Sequence, residues 1–354
     1  MSGAIDWPTA ERVARFVSSR GQGALPAGYS AIHRQFDELT DQAQGLVEAY
    51  TGWQSTSGRA RARVVDREGW VRANIASFQR LLRPLTDRVE ERLRPGVGTA
   101  LASRAAGVEI GAMLGWMSQR VLGQYDLLVL EDENPDEQDI VYYVGPNIAA
   151  LESKFEFPSD EFRLWVALHE VTHRTQFTGK PWLRDYFVEQ TTELMTLADP
   201  DPTRFFAAIG RIAEGVRSRR NPLDDGLVTL FASTSQRAAL DRVGGMMSLL
   251  EGHGDVTMDR AGGTAVPSAE RFSATLSARR GEVRGTAKLV QKLVGLEAKM
   301  AQYAQGEAFI AALEEQGGRE YLELAFAGPD NLPSLEEIRE PQRWLQRVPA
   351  AVAI

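Results

Sequence analysis

The stretch Glu161–Phe177, EFRLWVALHEVTHRTQF, decides both the fold class and the chemistry of this chain. Its apolar residues Phe162, Trp165, Val166, Leu168 and Phe177 recur at three- and four-residue spacings, which predicts a helix. Pro158-Ser159-Asp160 supplies start signals. Thr178-Gly179-Lys180-Pro181 supplies the stop, a glycine for a left-handed cap followed by a proline that cannot continue. On such a helix Trp165, His169, His173 and Phe177 form one stripe. In His169-Glu170-Val171-Thr172-His173 two imidazoles four residues apart therefore share a face, and one metal ion can bridge them. Glu170 lies close enough to that face to draw a proton from a water beside the ion, so H-E-x-x-H reads as a metal-dependent hydrolase site. Only four histidines occur in 354 residues, and random placement gives an expectation of about 0.006 for the pattern. Two ordinary histidines on a buried face would leave the placement of Glu170 unexplained.

A catalytic zinc site takes three protein ligands and leaves the fourth position to water, so a third donor is needed. The chain has no cysteine, which excludes thiolate. The strongest candidate lies in Gly244–Val256, GGMMSLLEGHGDV, where Glu251 and Asp255 are four apart and share a helical face. One carboxylate can bind the metal while the other holds a ligand imidazole by its free N–H. Gly252 and Gly254 each weaken a helix by about 1 kcal/mol relative to alanine, so their presence predicts close approach of another backbone, that of the His169 helix. Glu189 and Glu193, four apart on the next expected helix, are the main rivals, with His253 and Asp255 behind them. In a helix His253 points about 200° away from Glu251, which suits a residue of the pocket wall or one that supports a ligand. His33 reads as a surface histidine.

A helix with H-E-x-x-H followed by one with E-x-x-x-D resembles the glutamate zincins, the thermolysin-like metallopeptidases. That resemblance implies zinc on His169, His173 and Glu251, Glu170 as general base, and Asp255 orienting a histidine. Over most of the chain, HEVTHRTQF, LLEGHGDVTMD, RVLGQYD, YYVGPNI and KMAQYAQGEAF look like a narrower group, the actinobacterial zincin-like metallopeptidases labelled as associated with coenzyme F420 biosynthesis. The label implies an association and names no reaction. The separation of 78 positions from His173 to Glu251 departs from the thermolysin pattern and requires an intervening helical segment.

Composition bounds the rest. Hydrophobic content of 43% and charged content of 25% are those of a globular protein. A net charge of −8 argues against nucleic acid as a partner. No run approaches 18 uninterrupted apolar residues, so no membrane span is expected, and Gly107–Met117 reads as a buried core helix. Met1–Pro8 lacks a basic and an apolar leader region, so the expected compartment is cytoplasmic.

Helical spacing covers Trp7–Arg20, Ser30–Tyr50, Asp66–Leu93 and Gly98–Leu122. Asp126–Leu130 and Asp139–Val144 read as strands of a hairpin around an acidic turn. By the zincin resemblance a sheet edge can pair with an extended substrate, so this hairpin is a substrate-side element or a structural cover. Arg260–Ser268 reads as a flexible loop. Val290–Tyr303 and Gly306–Glu315 read as helices, with Lys299, Gln302 and Tyr303 as remote candidates for an oxyanion donor. The expected fold is mainly α with a small β-hairpin or sheet and a zincin-like architecture: a helical amino-terminal lobe over 1–125 and a metal-binding lobe over 126–354, packed as one unit. The expected activity is zinc-dependent hydrolysis of a peptide or other amide substrate. The rival readings are a catalytically idle metal-binding scaffold and a small-molecule amidohydrolase. Nothing in the sequence speaks to oligomeric state.

Overall fold

Local signals start the helices. The Asp6 carboxylate accepts the Thr9 N–H at 3.0 Å, and Pro8 follows in the first turn, where a missing N–H costs nothing. Helix α1 then runs Trp7–Ser19, followed by α2 (Tyr29–Thr51), strand β1 (Arg61–Val65), α3 (Arg67–Arg92), α4 (Val97–Ser118), β2 (Gly123–Tyr125), β3 (Ile140–Val144), α5 (Gly145–Phe155), α6 (Ser159–Gly179) and α7 (Pro181–Leu197). Beyond these lie α8 (Thr234–Gly262), a short 3-10 turn (Gly263–Ala265), α9 (Ala269–Gly281), α10 (Leu296–Ala325), α11 (Leu335–Arg339) and α12 (Pro341–Arg347). This computed structural model describes residues 3–20, 29–92, 96–126, 139–197, 234–281 and 296–348. Among them no helix is long and apolar enough to cross a membrane.

The contacts divide the chain into two compact units, Met1–Arg184 with His253–Glu282, and Asp185–Gly252 with Val283–Ile354. The division falls inside α8, which is helical without interruption through Glu251–Asp255.

In the first unit the sheet has strand order β1-β3-β2, with β1 parallel to β3 and β2 antiparallel to it. Among the described residues the antiparallel partner of β3 is Gly123–Tyr125, and the Asp126 N–H, at the start of the expected first hairpin strand, continues the ladder on the Ile140 carbonyl at 3.1 Å. Residues 127–130 lie outside the described residues. Strand β1 had no counterpart in the sequence reading, because RARVV is short and its arginines mask the alternation. The central strand β3, IVYYV, is buried at every position, as a strand covered on both faces must be. Trp70, Val71, Ile75, Leu114 and Val144 form one core cluster with Ala14. Helix α4 packs on α1 through Gly107, Gly111 and Gly115, each facing an α1 carbonyl or its approach. Within Gly107–Met117, read as a buried core helix, Gly107, Gly111, Leu114 and Gly115 are buried while Val108 is 45% exposed, so that stretch is buried along one face.

Helix α6 is largely enclosed, with Phe162, Ala167, Leu168, Val171, Arg174 and Gln176 fully buried. Its apolar start is held by an aromatic cluster in which Phe272 of α9 meets Phe157 and Phe162 edge-on at 4.8 and 5.2 Å. Gly179 does not form the expected left-handed cap; it is the last helical residue, packed against the Trp53 Cβ, and the chain turns at Lys180 with φ −128°. Proline at 181 instead opens α7. Arg260–Ser268 is likewise not one loop: α8 continues to Gly262, where a Leu168 methyl would lie 3.2 Å from an added Cβ.

In the second unit α10 has a break at Gly317–Gly318, where Gly318 takes φ +64°, a conformation that suits glycine. The two helices expected over Val290–Tyr303 and Gly306–Glu315 are thus one run from Leu296 up to that break, and 290–295 lie outside the described residues. Trp344 is fully buried against Phe309 and donates its indole N–H to the Asn331 carbonyl at 2.7 Å.

Candidate metal centre

The 3.6-residue turn of α6 brings His169 and His173 together as the spacing requires. Their rings stand at 89° with centroids 4.7 Å apart, and the two Nε2 atoms face each other at 3.2 Å. Glu251 on α8 joins them: one atom from each of His169, His173 and Glu251 lies within 4.8 Å of the others. Glu251 is 5% exposed, which a carboxylate tolerates only with compensating charge or hydrogen bonds. Zinc held tetrahedrally at about 2.0–2.1 Å needs nitrogen donors about 3.3–3.4 Å apart, and the imidazole pair meets that spacing within about 0.2 Å. The backbone leaves room for the rings at Gly254, where an added Cβ would lie 3.2 Å from His173 Cε1 and 3.7 Å from His169 Cε1. The donor set and the cradle fit a zinc ion.

The two glycines beside Glu251 thus have different tasks. Gly254 makes space for histidine side chains of α6, not for its backbone. The backbone that comes close belongs to α10: a Cβ at Gly252 would lie 2.7 Å from Glu307 N and from Gly306 Cα. The close backbone approach expected of the His169 helix is made by α10 instead.

Each imidazole has a polar neighbour at its remaining nitrogen. His169 Nδ1 lies 3.5 Å from Asp255 Oδ1, the pairing expected of the acid four residues beyond Glu251. His173 Nδ1 lies 2.9 Å from Gln176 Oε1, and the Gln176 amide nitrogen lies 3.0 Å from His253 Nδ1. The His253 ring stacks on Trp53 at 4.9 Å and 15°, with its Nε2 3.4 Å from Thr257 Oγ1. Gln176 was missed by the sequence reading. Its signal was a polar residue one turn past His173 on a helix otherwise buried there.

Glu170 is 8% exposed and lies against strand β2: an added Cβ at Gly123 would meet Glu170 Cγ at 2.6 Å and Oε1 at 2.8 Å. No larger residue fits there without moving the carboxylate, so glycine at 123 sets how near this edge strand comes to Glu170. The fully buried Tyr143 hydroxyl pairs with Thr40 at 2.8 Å. Burial above all, and then the Glu170 charge, raise the Tyr143 phenol well beyond its ordinary pKa despite the Thr40 hydrogen bond, so it stays protonated.

The rival ligands are placed otherwise. Glu193 pairs with Arg242 at 2.7 Å, and Arg242 also donates to Gln190. Glu189 is exposed, and neither glutamate belongs to the donor group. His33 is half-buried, with its Nδ1 3.4 Å from Asp37 Oδ2 at the surface. The side chains of Lys299, Gln302 and Tyr303 lie outside the described residues.

On this mainly helical fold two histidines and a glutamate form a group that could hold a metal ion. The profile of the zincin-like metallopeptidases matches residues 5–345, and the chain belongs to that family. Among solved structures it is similar to a protein from Chloroflexus aurantiacus described as “a putative hydrolase with a novel fold”. The two share 32% identity over 97% of this chain and 98% of the other, with a TM-score of 0.71. No curated protein matches the chain significantly.

Proposed function

We propose that this protein is a zinc-dependent hydrolase of peptide or other amide bonds, with His169, His173 and Glu251 holding the metal and Glu170 acting as general base. The observation that carries the reading is that one ligand atom from each of His169, His173 and Glu251 lies within 4.8 Å of the others, the two histidines standing on the helix that also bears Glu170. When bound, zinc lowers the pKa of a water and polarises the substrate carbonyl. Glu170 would take a proton from a water in the site as the water oxygen adds to the carbonyl carbon. The same carboxyl then passes the proton to the departing nitrogen as the C–N bond breaks, so one group serves as base and then acid. Gly123 brings β2 up against Glu170 and helps keep its carboxylate in place. Asp255 orients His169. Strand β2 is a terminal strand of the sheet, and an extended substrate laid along it would bring its scissile bond past Glu170, using main-chain hydrogen bonds for affinity. The narrower likeness to F420-associated members names no reaction, and the proposed chemistry stands without it.

The test combines zinc content with hydrolysis of a mixed peptide set. The unaltered protein should hold near-stoichiometric zinc and cleave. Glu170→Gln should keep the metal and lose about 10²–10⁴-fold in rate, since the amide keeps the shape but accepts no proton. Undiminished turnover by zinc-loaded Glu170→Gln removes Glu170 from the mechanism, and a protein that cannot be loaded with zinc refutes the reading as a whole.

A further inference from the structure

We propose that His253, acting through Gln176, is a positioning residue that sets the tautomer of His173 and so decides whether its Nε2 lone pair faces the metal. The inference rests on the metal-binding reading above. A neutral imidazole carries one ring proton, so ligation through Nε2 requires that proton on Nδ1. His173 Nδ1 lies 2.9 Å from Gln176 Oε1, which only accepts. A carboxamide has two unlike ends, however. With the amide turned over, its NH₂ would face Nδ1, the His173 proton would move to Nε2, and the ring would offer the ion an N–H instead of a lone pair.

What decides which end faces His173 is the other neighbour of Gln176. Its Nε2 lies 3.0 Å from His253 Nδ1. When the His253 proton sits on Nε2, 3.4 Å from the Thr257 hydroxyl, the bare Nδ1 accepts from the Gln176 NH₂ and leaves the amide oxygen for His173. The donors and acceptors then alternate along Thr257, His253, Gln176 and His173. Reversing the proton position on His253 reverses the amide, and with it the tautomer of His173. Gln176 is 0% and His253 2% exposed, so bulk water does not substitute for a missing partner. Trp53, stacked on the His253 ring at 15°, holds the plane in which both ring nitrogens meet their partners. A metal ligand is thus steered by a histidine 80 positions further along the chain that need not touch the ion.

Chelator competition for zinc, measured on purified full-length chains, tests this together with imidazole ¹⁵N shifts. Zinc-loaded unaltered protein should show the His253 proton on Nε2. Gln176→Leu should bind zinc about 10- to 100-fold more weakly, as lost ligand supports typically do, whereas Gln176→Glu, which still accepts from His173 Nδ1, should restore binding to within a few-fold. His253→Phe keeps a ring for Trp53 but removes the Nδ1 acceptor, so it should weaken zinc about tenfold in the Gln176 background. In the Gln176→Glu background the same change should cost almost nothing, because either end of a carboxylate accepts. A merely structural role for His253 predicts equal losses in both backgrounds. Equal losses, unchanged affinity in a folded Gln176→Leu, or a His253 proton on Nδ1 in the loaded protein each overturn the proposal while leaving the metal site intact. The shift measurement uses the unaltered chain, so it decides even if a variant fails to fold. An unaltered protein that takes up no zinc refutes the metal-binding reading itself.

Discussion

Gly252 and Gly254 sit two residues apart on α8, and alanine at each should do opposite things. At Gly252 a new methyl group would lie 2.4 Å from the Gly306 carbonyl carbon and 2.7 Å from Glu307 N, where ordinary contact begins at 3.4 Å. The backbones of α8 and α10 would have to part by about 1.0 Å to clear the nearer atom, and neither can yield as a flexible side chain would. Overpacking of this kind costs about 1–3 kcal/mol, and backbone on the receiving side places it near the upper limit. Helix propensity returns about 1 kcal/mol on replacing glycine by alanine, leaving a net loss of about 2 kcal/mol. At Gly254 the new methyl would meet the edge of the His173 ring at 3.2 Å, a contact relieved by a few tenths of an ångström of ring movement. The propensity gain then roughly offsets the crowding, so stability should hold, but the displaced ring is a metal ligand and zinc affinity should fall by about tenfold. Thermal melts of the zinc-free proteins and chelator titrations of the loaded ones separate the two effects. If Gly252→Ala melts with the unaltered chain while Gly254→Ala is the destabilised variant, the assignment of the two close approaches is wrong.

Glu251→Ala should weaken zinc binding about as much as His169→Ala, Asp255→Ala by about 10- to 100-fold, and Glu193→Ala hardly at all, since Glu193 is engaged by Arg242; zinc retained in Glu251→Ala but lost in Glu193→Ala would move the third ligand to α7. Arg174→Met should destabilise the protein by about 3–5 kcal/mol, because the fully buried guanidinium makes a two-pronged contact with Asp139 at 2.9 and 2.6 Å and its loss strands a buried carboxylate; a denaturation midpoint within about 1 kcal/mol of the unaltered chain would show that Asp139 has another means of compensation.

Local sequence determined much of this protein. Periodicity and punctuation locate α1 to α4 and α6 to within a few residues, because a helix is built from contacts three and four positions apart and its ends from capping groups just outside. The same short-range geometry puts His169 and His173 on one face with Glu170 beside it, and Glu251 with Asp255 on another. It does not say which acidic pair meets the histidines. Glu189 and Glu193 have the same spacing as Glu251 and Asp255, and only the folded chain, by giving Glu193 to Arg242 and bringing Glu251 within 4.8 Å of the imidazoles, distinguishes them. Strand β1 was illegible for a related reason: a five-residue strand carries little periodicity of its own, and its pairing with β3, 79 residues away at Arg61 and Ile140, is a long-range choice. Gly252 and Gly254 announced close approaches without naming the approaching groups. Gln176 looked like one more polar residue on a helix. Its consequence depends on a histidine 77 positions later, and a contact at that separation is set by how helices pack, which no window of local sequence contains.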